Sequence, residues 1–212
     1  MEIISFLCAL VGAYLLGSIP SAVWIGKAFY GIGVRRHGSK NAGATNTFRV
    51  LGVKAGIPVL LIDAFKGTAA CSLVYLILTP DMHEFITIQF VFGVAAVLGH
   101  IFPIFASFKG GKGVATITGI VLAISPIPTL VAMGVFVITL LLSKYVSLSS
   151  ILAGLSFPFL VIFVFKTPVN SMIFFSILVS IVLLLTHRKN VERLIHKQEN
   201  KANLFKKRKT LE

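Results

Sequence analysis

Acidic residues are scarce in this chain: 7 Asp and Glu stand against 20 Lys and Arg in 212 residues, and charged residues are only 13% of the total. Cysteine occurs twice, at Cys8 and Cys71. Each shortage excludes something. With 56% hydrophobic residues and a mean hydropathy of +0.93, there are too few charges to coat a water-soluble domain. A net charge of +13 does not indicate nucleic acid, because the basic residues stand between long apolar runs and not on one wettable face. Anionic lipid headgroups and anionic substrates are the expected partners. The cysteines lie apart in apolar runs and form no C-x-x-C pair, so they read as buried small hydrophobes. No cluster has metal-ligand spacing, and neither a G-x-S-x-G elbow nor a Ser-His-Asp order is present. A cleavable signal peptide is not expected either. Glu2 occupies the region that should be basic, and cleavage near Ser18–Ser21 would remove a polar motif.

Long apolar runs are what the chain has in abundance. A membrane-spanning helix needs about 20 apolar residues. Six stretches qualify: 3–25, 53–79, 85–105, 114–142, 147–165 and 168–186. The fourth carries Ser125-Pro126-Ile127-Pro128, and proline both lacks the amide donor and pushes the preceding residue out of the helical region. It therefore divides into two short helices, about 114–124 and 128–142, which makes seven. Charge supports an odd count. Seven crossings put 26–52 (Lys27, Arg35, Arg36, Lys40, Arg49), 106–113 (Lys109, Lys112), 143–146 (Lys144) and the tail with its nine Lys/Arg on one side. The other side holds Glu2, Asp81, Glu84 and Lys166. The positive-inside rule makes the basic side cytoplasmic and the N-terminus external. The expected architecture is an all-α integral membrane protein, a compact seven-helix bundle over 1–200 with a basic cytoplasmic tail, 201–212. No paired broken segments of the transporter kind are visible.

The loops on the basic side carry the chemistry. The first contains Gly17-Ser18-Ile19-Pro20-Ser21 at the end of helix one, then Arg35-Arg36-His37-Gly38-Ser39-Lys40-Asn41-Ala42-Gly43-Ala44-Thr45-Asn46-Thr47-Phe48-Arg49. Small residues let backbone amides face a ligand, hydroxyls and amides add neutral hydrogen bonds, and Arg fits phosphate oxygens with a fork. A plain positive-inside loop explains the arginines but not the density of Gly, Ser, Asn and Thr. The second segment, Phe108-Lys109-Gly110-Gly111-Lys112-Gly113, leads into a helix, where free amides and the dipole favour an anion. It fails the GxxxxGK[ST] pattern, so nucleotide binding is not expected. In Lys144-Tyr145-Val146-Ser147-Leu148-Ser149-Ser150, Ser147 and Ser149 read as helix caps and Ser150 as a ligand contact. The last segment, His187-Arg188-Lys189-Asn190-Val191-Glu192-Arg193, places His187 and Asn190 on one helix face, with Arg188 and Arg193 as ordinary interface anchors. Asp63 and Lys66, three apart within the membrane, read as a structural pair, and His100 as a hydrogen-bonded packing residue.

The ordered set GSIPS, GSKNAGATNTFR, DAFKG, GHIFPIFASFKGGKGVAT, KYVSLSS and HRKNVERL followed by Glu199 closely resembles the bacterial acyl-phosphate:glycerol-3-phosphate acyltransferase (PlsY) family over residues 17–199. The His-x4-Asp motif of the common glycerolipid acyltransferases is absent. The resemblance implies a seven-helix enzyme of the bacterial plasma membrane, with its active site on the cytoplasmic face. It would move an acyl group from acyl phosphate to the 1-hydroxyl of glycerol 3-phosphate, giving lysophosphatidic acid and phosphate, the first step of bacterial phospholipid synthesis. It would use no metal and no cofactor. Ser39, Arg49 and Lys112 would clamp the donor phosphate, with Asn41, Thr45 and Asn46 shaping that pocket. Ser150, His187 and Asn190 would hold glycerol 3-phosphate, and Glu199 would order the tail over the site. Lys112, His187 and Ser39 are the residues assigned to catalysis. The resemblance leaves oligomeric state open, with a monomer as the working expectation. Three departures stand out: Lys40 replaces the second glycine of the usual GSGN, Gly33 replaces an acidic residue, and Lys197 replaces a tail glycine. If the glycine of the usual pattern is left-handed, Lys40 in its place requires a locally different loop. Two other readings are an organic-phosphate transporter and a lipid-binding scaffold.

Overall fold

The computed structural model describes residues 3–202, and among them the chain is helical, with no strand. Residues 203–212 of the basic tail, and Glu2, lie outside the described residues. The first apolar stretch does not run unbroken to residue 25. Helix α1 (Ile3–Gly17) stops, and α2 (Ser21–Tyr30) leaves it at 45°. Pro20 has no amide to donate and disfavours a helical Ile19, so GSIPS occupies a break instead of a helix end. The first loop is partly helical, with α3 (Ala44–Leu51) starting at the KNAGAT string.

Helix α4 (Val53–Ser72) follows, extended by a 3-10 turn to Leu76, then α5 (Phe85–Ile101) with a further turn at Ile104–Ala106. The fourth stretch divides as expected, though at a single residue. Helix α6 (Val114–Ile124) ends at Ser125, and α7 (Pro126–Ser143) begins with Pro126 in its first turn, where proline loses no hydrogen bond. At 18 residues α7 is long enough to cross a membrane, so only α6, with 11, is short. Helix α8 (Val146–Phe159) continues into a π-helical turn, Leu160–Val164. Helix α9 (Asn170–Thr186) bends by 62° into α10 (Arg188–Ile195).

Four of these elements have the length and apolarity to cross a membrane, and the α1/α2 and α9/α10 pairs each pass as one bent span. The outer surface is apolar, with Leu142 82% exposed and Phe29 79%, as a lipid-facing surface requires. Cys71 is buried, but Cys8 is exposed on the outer face of α1, against the expectation for both. One core cluster joins α5 to α9 around Ile120, Val161 and Phe175; another joins α1, α4 and α5 around Ala13, Val74 and Phe92. A third, with Val34, Leu51 and Val59, supports the first loop. Helices α4 and α6 cross closely because both contact points are glycine. A Cβ on Gly67 would meet the Thr116 carbonyl, and one on Gly119 the Ala64 carbonyl. Thr68 Oγ1 donates to Gly119 O at 2.9 Å across the same crossing.

Candidate active site

The first loop is tied into shape by one side chain. Asn46, 1% exposed in the first turn of α3, accepts the Ser39 amide at 2.8 Å on Oδ1. Its Nδ2 faces three carbonyls, Val34 at 2.9 Å, Asn41 at 3.0 Å and His37 at 3.2 Å. An amide suits this position because it supplies an acceptor and two donors from one group. Thr45, Ser39 and Arg49 are exposed on this frame. Arg35 then joins the first loop to the second: its Nη1 donates to the carbonyls of Ala106 and Lys109 at 2.9 and 3.0 Å. Lys40 holds the left-handed conformation that favours glycine, with φ 59°, and Lys197 does the same with φ 56°. Lys40 itself thus adopts the strained conformation.

The glycine segment is folded back on α5. Gly110 and Gly111 donate their amides to the carbonyls of Ile101 and His100, each at 3.1 Å. Gly113, with φ 81°, then opens α6. This delivers Lys112 to the end of the bundle, where Nζ donates to Asn190 Oδ1. Asn190 Nδ2 passes the contact on to Glu199 Oε1 at 2.8 Å. The same carboxylate accepts Ser147 Oγ at 3.1 Å and Arg193 Nε at 2.7 Å. Arg49 lies near enough to add its charge to those of Lys112 and Arg193. Thus α3, the glycine segment, α8, α10 and residue 199 converge on one point. The tail is held there by Ala202 N donating to Lys144 O at 2.7 Å.

Electrostatics follow from this crowding. Burial and the nearby Arg193 and Arg49 outweigh Glu199 and bring Lys112 down to about 8. Burial would raise Glu199, but hydrogen bonds from Arg193, Asn190 and Ser147 hold its carboxyl below the usual value. His187, 2% exposed, is brought down to about 4, by burial first and then by the Lys112 charge. Its ring is a neutral imidazole at pH 7. Nδ1 lies 2.9 Å from the Leu183 carbonyl, which can only accept, so Nδ1 carries the proton and Nε2 the lone pair.

The structure brings Arg49, Lys112, Asn190 and Glu199 into this cluster, with His187 within reach of the Lys112 charge. His187 and Asn190 do not share one helix, because the chain bends at His187 and Asn190 belongs to α10. Ser150 is buried and donates to its own helix at Val146 O, 2.9 Å away. Ser147 and Ser149 are not caps: Ser147 turns to Glu199, and Ser149 Oγ donates to Tyr145 O at 2.8 Å. Arg193, expected as an interface anchor, is the ion-pair partner of Glu199. Ser147 and Arg193 escaped sequence reasoning because the residue that gives them a role lies 52 and 6 positions away, beyond a chain reversal.

An apolar helical bundle whose cations and glycine turns gather at one end defines an integral membrane protein with a cationic polar site at that end. The glycerol-3-phosphate acyltransferase family model matches residues 7–197. Among curated relatives, glycerol-3-phosphate acyltransferase 2 of Bacillus anthracis is 48% identical over 192 residues, 91% of this chain and 96% of the relative. The glycerol-3-phosphate acyltransferase of Fusobacterium nucleatum is 42% identical, with 93% of this chain and 98% of the relative covered. The crystal structure of PlsY (YgiH), an integral membrane glycerol 3-phosphate acyltransferase, superimposes in its glycerol 3-phosphate form with a TM-score of 0.84 at 38% identity, covering 93% of this chain and 95% of that one. Its lysophosphatidic acid form gives a TM-score of 0.81. The chain belongs to the glycerol-3-phosphate acyltransferase family and is an integral membrane enzyme of that family.

Proposed function

We propose that this enzyme transfers a fatty acyl group from acyl phosphate to the 1-hydroxyl of glycerol 3-phosphate, at the cytoplasmic face of the bacterial plasma membrane. The observation that carries the reading is the Lys112–Asn190–Glu199–Arg193 network. It gathers three cations, Lys112, Arg193 and Arg49, at one end of an apolar bundle, where two phosphate-bearing substrates need neutralising. Seven crossings, with α1/α2 as one, α6 as a short one and α9 as the last, put this end and the C-terminus in the cytoplasm and the N-terminus outside. Residues 1–200 form one catalytic domain, and 201–212 serve as its basic cytoplasmic tail.

In this reading Ser39, Arg49 and Lys112 hold the donor phosphate, on a pocket shaped by Asn41, Thr45 and Asn46. His187, Asn190 and Ser150 line the acceptor side, and Glu199 keeps the tail and the cations in register. Acyl phosphate is already activated, so orientation and charge stabilisation suffice without a protein nucleophile. The 1-hydroxyl oxygen attacks the acyl carbon, the bond from that carbon to the phosphate oxygen breaks, and phosphate departs against Lys112 and Arg49. The hydroxyl proton leaves with the phosphate. A histidine at about 4 is a weak base at neutral pH, so His187 orients the acceptor through Nε2 instead of deprotonating it.

The test is purified enzyme in detergent with acyl phosphate and glycerol 3-phosphate. Phosphate release that requires both substrates, with formation of 1-acyl-glycerol 3-phosphate, is the expected result. Uptake of an organic phosphate into vesicles without ester formation would overturn the proposal.

A further inference from the structure

Beneath the two loops lies a second polar cluster that touches none of the network around Glu199. Asp63 and Lys66, one turn apart on α4, form an ion pair at 2.9 Å, both side chains at most 4% exposed. Asp63 Oδ1 also accepts Ser21 Oγ at 2.7 Å and lies 3.7 Å from His100 Nδ1. Lys66 Nζ donates at 2.8 Å to the Ile19 carbonyl, at the break between α1 and α2. His100 Nδ1 meets Thr116 Oγ1 at 3.2 Å.

The far side of the His100 ring faces the glycine segment. A Cβ on Gly111 would strike His100 Nε2 and would lie 3.2 Å from the Ala42 carbonyl. Gly111, next in sequence to Lys112, is thus wedged between the ring and the first loop. A cavity of about 10 Å³ is bounded by the same groups, Asp63, Lys66, His100, Ala42, Gly110 and Gly111, space for at most one water. A buried ion pair is weak evidence of added stability by itself. This one has a more specific arrangement: apart from the Thr116 hydroxyl on α6, its outward contacts end at the α1/α2 break or against Gly111 of the glycine segment.

We propose that Asp63, Lys66 and His100 form a positioning cluster for the transfer reaction, fixing the GSIPS break, the first loop and Gly110–Gly111 to one another so that Lys112 stands at a set place relative to Ser39 and Arg49. The inference rests on the reading of Lys112 as a phosphate contact. The cluster touches no substrate; it acts through the backbone of residues 110–112, and a displacement of about 1 Å there costs on the order of 100-fold in rate.

The test is a size-swap cycle on the full-length enzyme in detergent, with folded protein quantified by gel filtration and melting temperature. Gly111→Ala forces the ring and Lys112 apart, and kcat/KM is expected to fall by roughly 10- to 100-fold per folded molecule. His100→Asn removes the Nε2 and Cε1 atoms in the way and keeps an amide where Nδ1 pairs with Thr116. The double variant is expected to recover at least about fivefold over the product of the two single effects. Ser21→Ala, which removes one donor to Asp63 and leaves the ion pair intact, is the softer probe should His100→Asn fold poorly. It is expected to shift kcat/KM severalfold at unchanged folded yield. Independent single effects, or losses that match the loss of folded protein, overturn the proposal. Lys112→Ala is the control: if it stays active, the underlying reading of the site fails, whereas an inactive Lys112→Ala with no coupling in the cycle rejects the positioning cluster alone.

Discussion

Replacing Glu199 by Gln removes a negative charge from among Lys112, Arg193 and Arg49 while keeping an oxygen for Ser147 and Asn190. Glu199 raises the proton affinity of Lys112, which burial and its cationic neighbours bring down to about 8. One Asn190 amide separates the two charges, or about 6 Å, and at an effective dielectric of about 20 that is roughly 3 kcal/mol. Glu199 is also paired with the partly exposed Arg193 at 2.7 Å, and that offset together with salt screening reduces the effect to about 1 kcal/mol, or about 0.7 of a pK unit. Without the carboxylate the ammonium form is disfavoured, so Lys112 moves to just above 7. If the phosphate contact requires protonated Lys112, activity is full below that value and is lost as pH rises through it. The wild-type alkaline limb of kcat/KM should centre near 8, and that of Glu199→Gln about 0.7 unit lower. At about pH 7.5 the protonated fraction falls from about three quarters to about two fifths, and well above about pH 9 the ratio tends to about fivefold. Below about pH 6 this contribution vanishes. The measurement is initial-rate phosphate release against pH at subsaturating substrate. A limb that stays in place or moves to higher pH refutes the electrostatic coupling.

Lys112→Ala should lower kcat/KM by about 10- to 100-fold, the loss of one charge-assisted hydrogen bond of about 1.5–3 kcal/mol, while truncation after residue 202 leaves most activity; the reverse pattern in the same assay would favour a lipid-binding scaffold. Asn46→Asp should be more harmful than Asn46→Ala, because it sets a carboxylate against the carbonyls of Val34, His37 and Asn41, with an expected loss of at least about 3 kcal/mol in detergent-melt stability. Lys40→Gly and Lys197→Gly should each raise stability by about 0.5–1 kcal/mol, since both lysines hold positive φ; an unchanged or lower melting temperature would count against strain at those positions.

Much of the bundle was legible because apolar run length and proline position are local properties. The division at Ser125 follows from Pro126 and Pro128, and the fall-back of Lys109 to Gly113 into a helix start follows from its glycines. The break at Ser18–Pro20 was equally available, since Pro20 stood in plain view, but the apolar residues on both sides masked it. Asn46 was recognisable as a pocket-shaping residue, though not as the side chain that ties four backbone groups together. Ser147 misled because a serine at a helix start is usually a cap, and a tertiary partner took its hydroxyl instead.

By itself the sequence determined that this chain belongs in a membrane and that its polar residues collect in basic, glycine-rich segments between apolar runs, and it set the expectation that those segments meet phosphate. Those features depend on hydropathy and spacing within single segments. Only the tertiary structure decided which polar residues touch: that Glu199 closes on Asn190, Arg193 and Ser147, and that His100, beside the Asp63–Lys66 pair, packs against Gly111. Such partners lie on helices far apart in sequence, and their pairing is set by how those helices pack, through close crossings such as Gly67 against Thr116 and Gly119 against Ala64, which no single segment encodes.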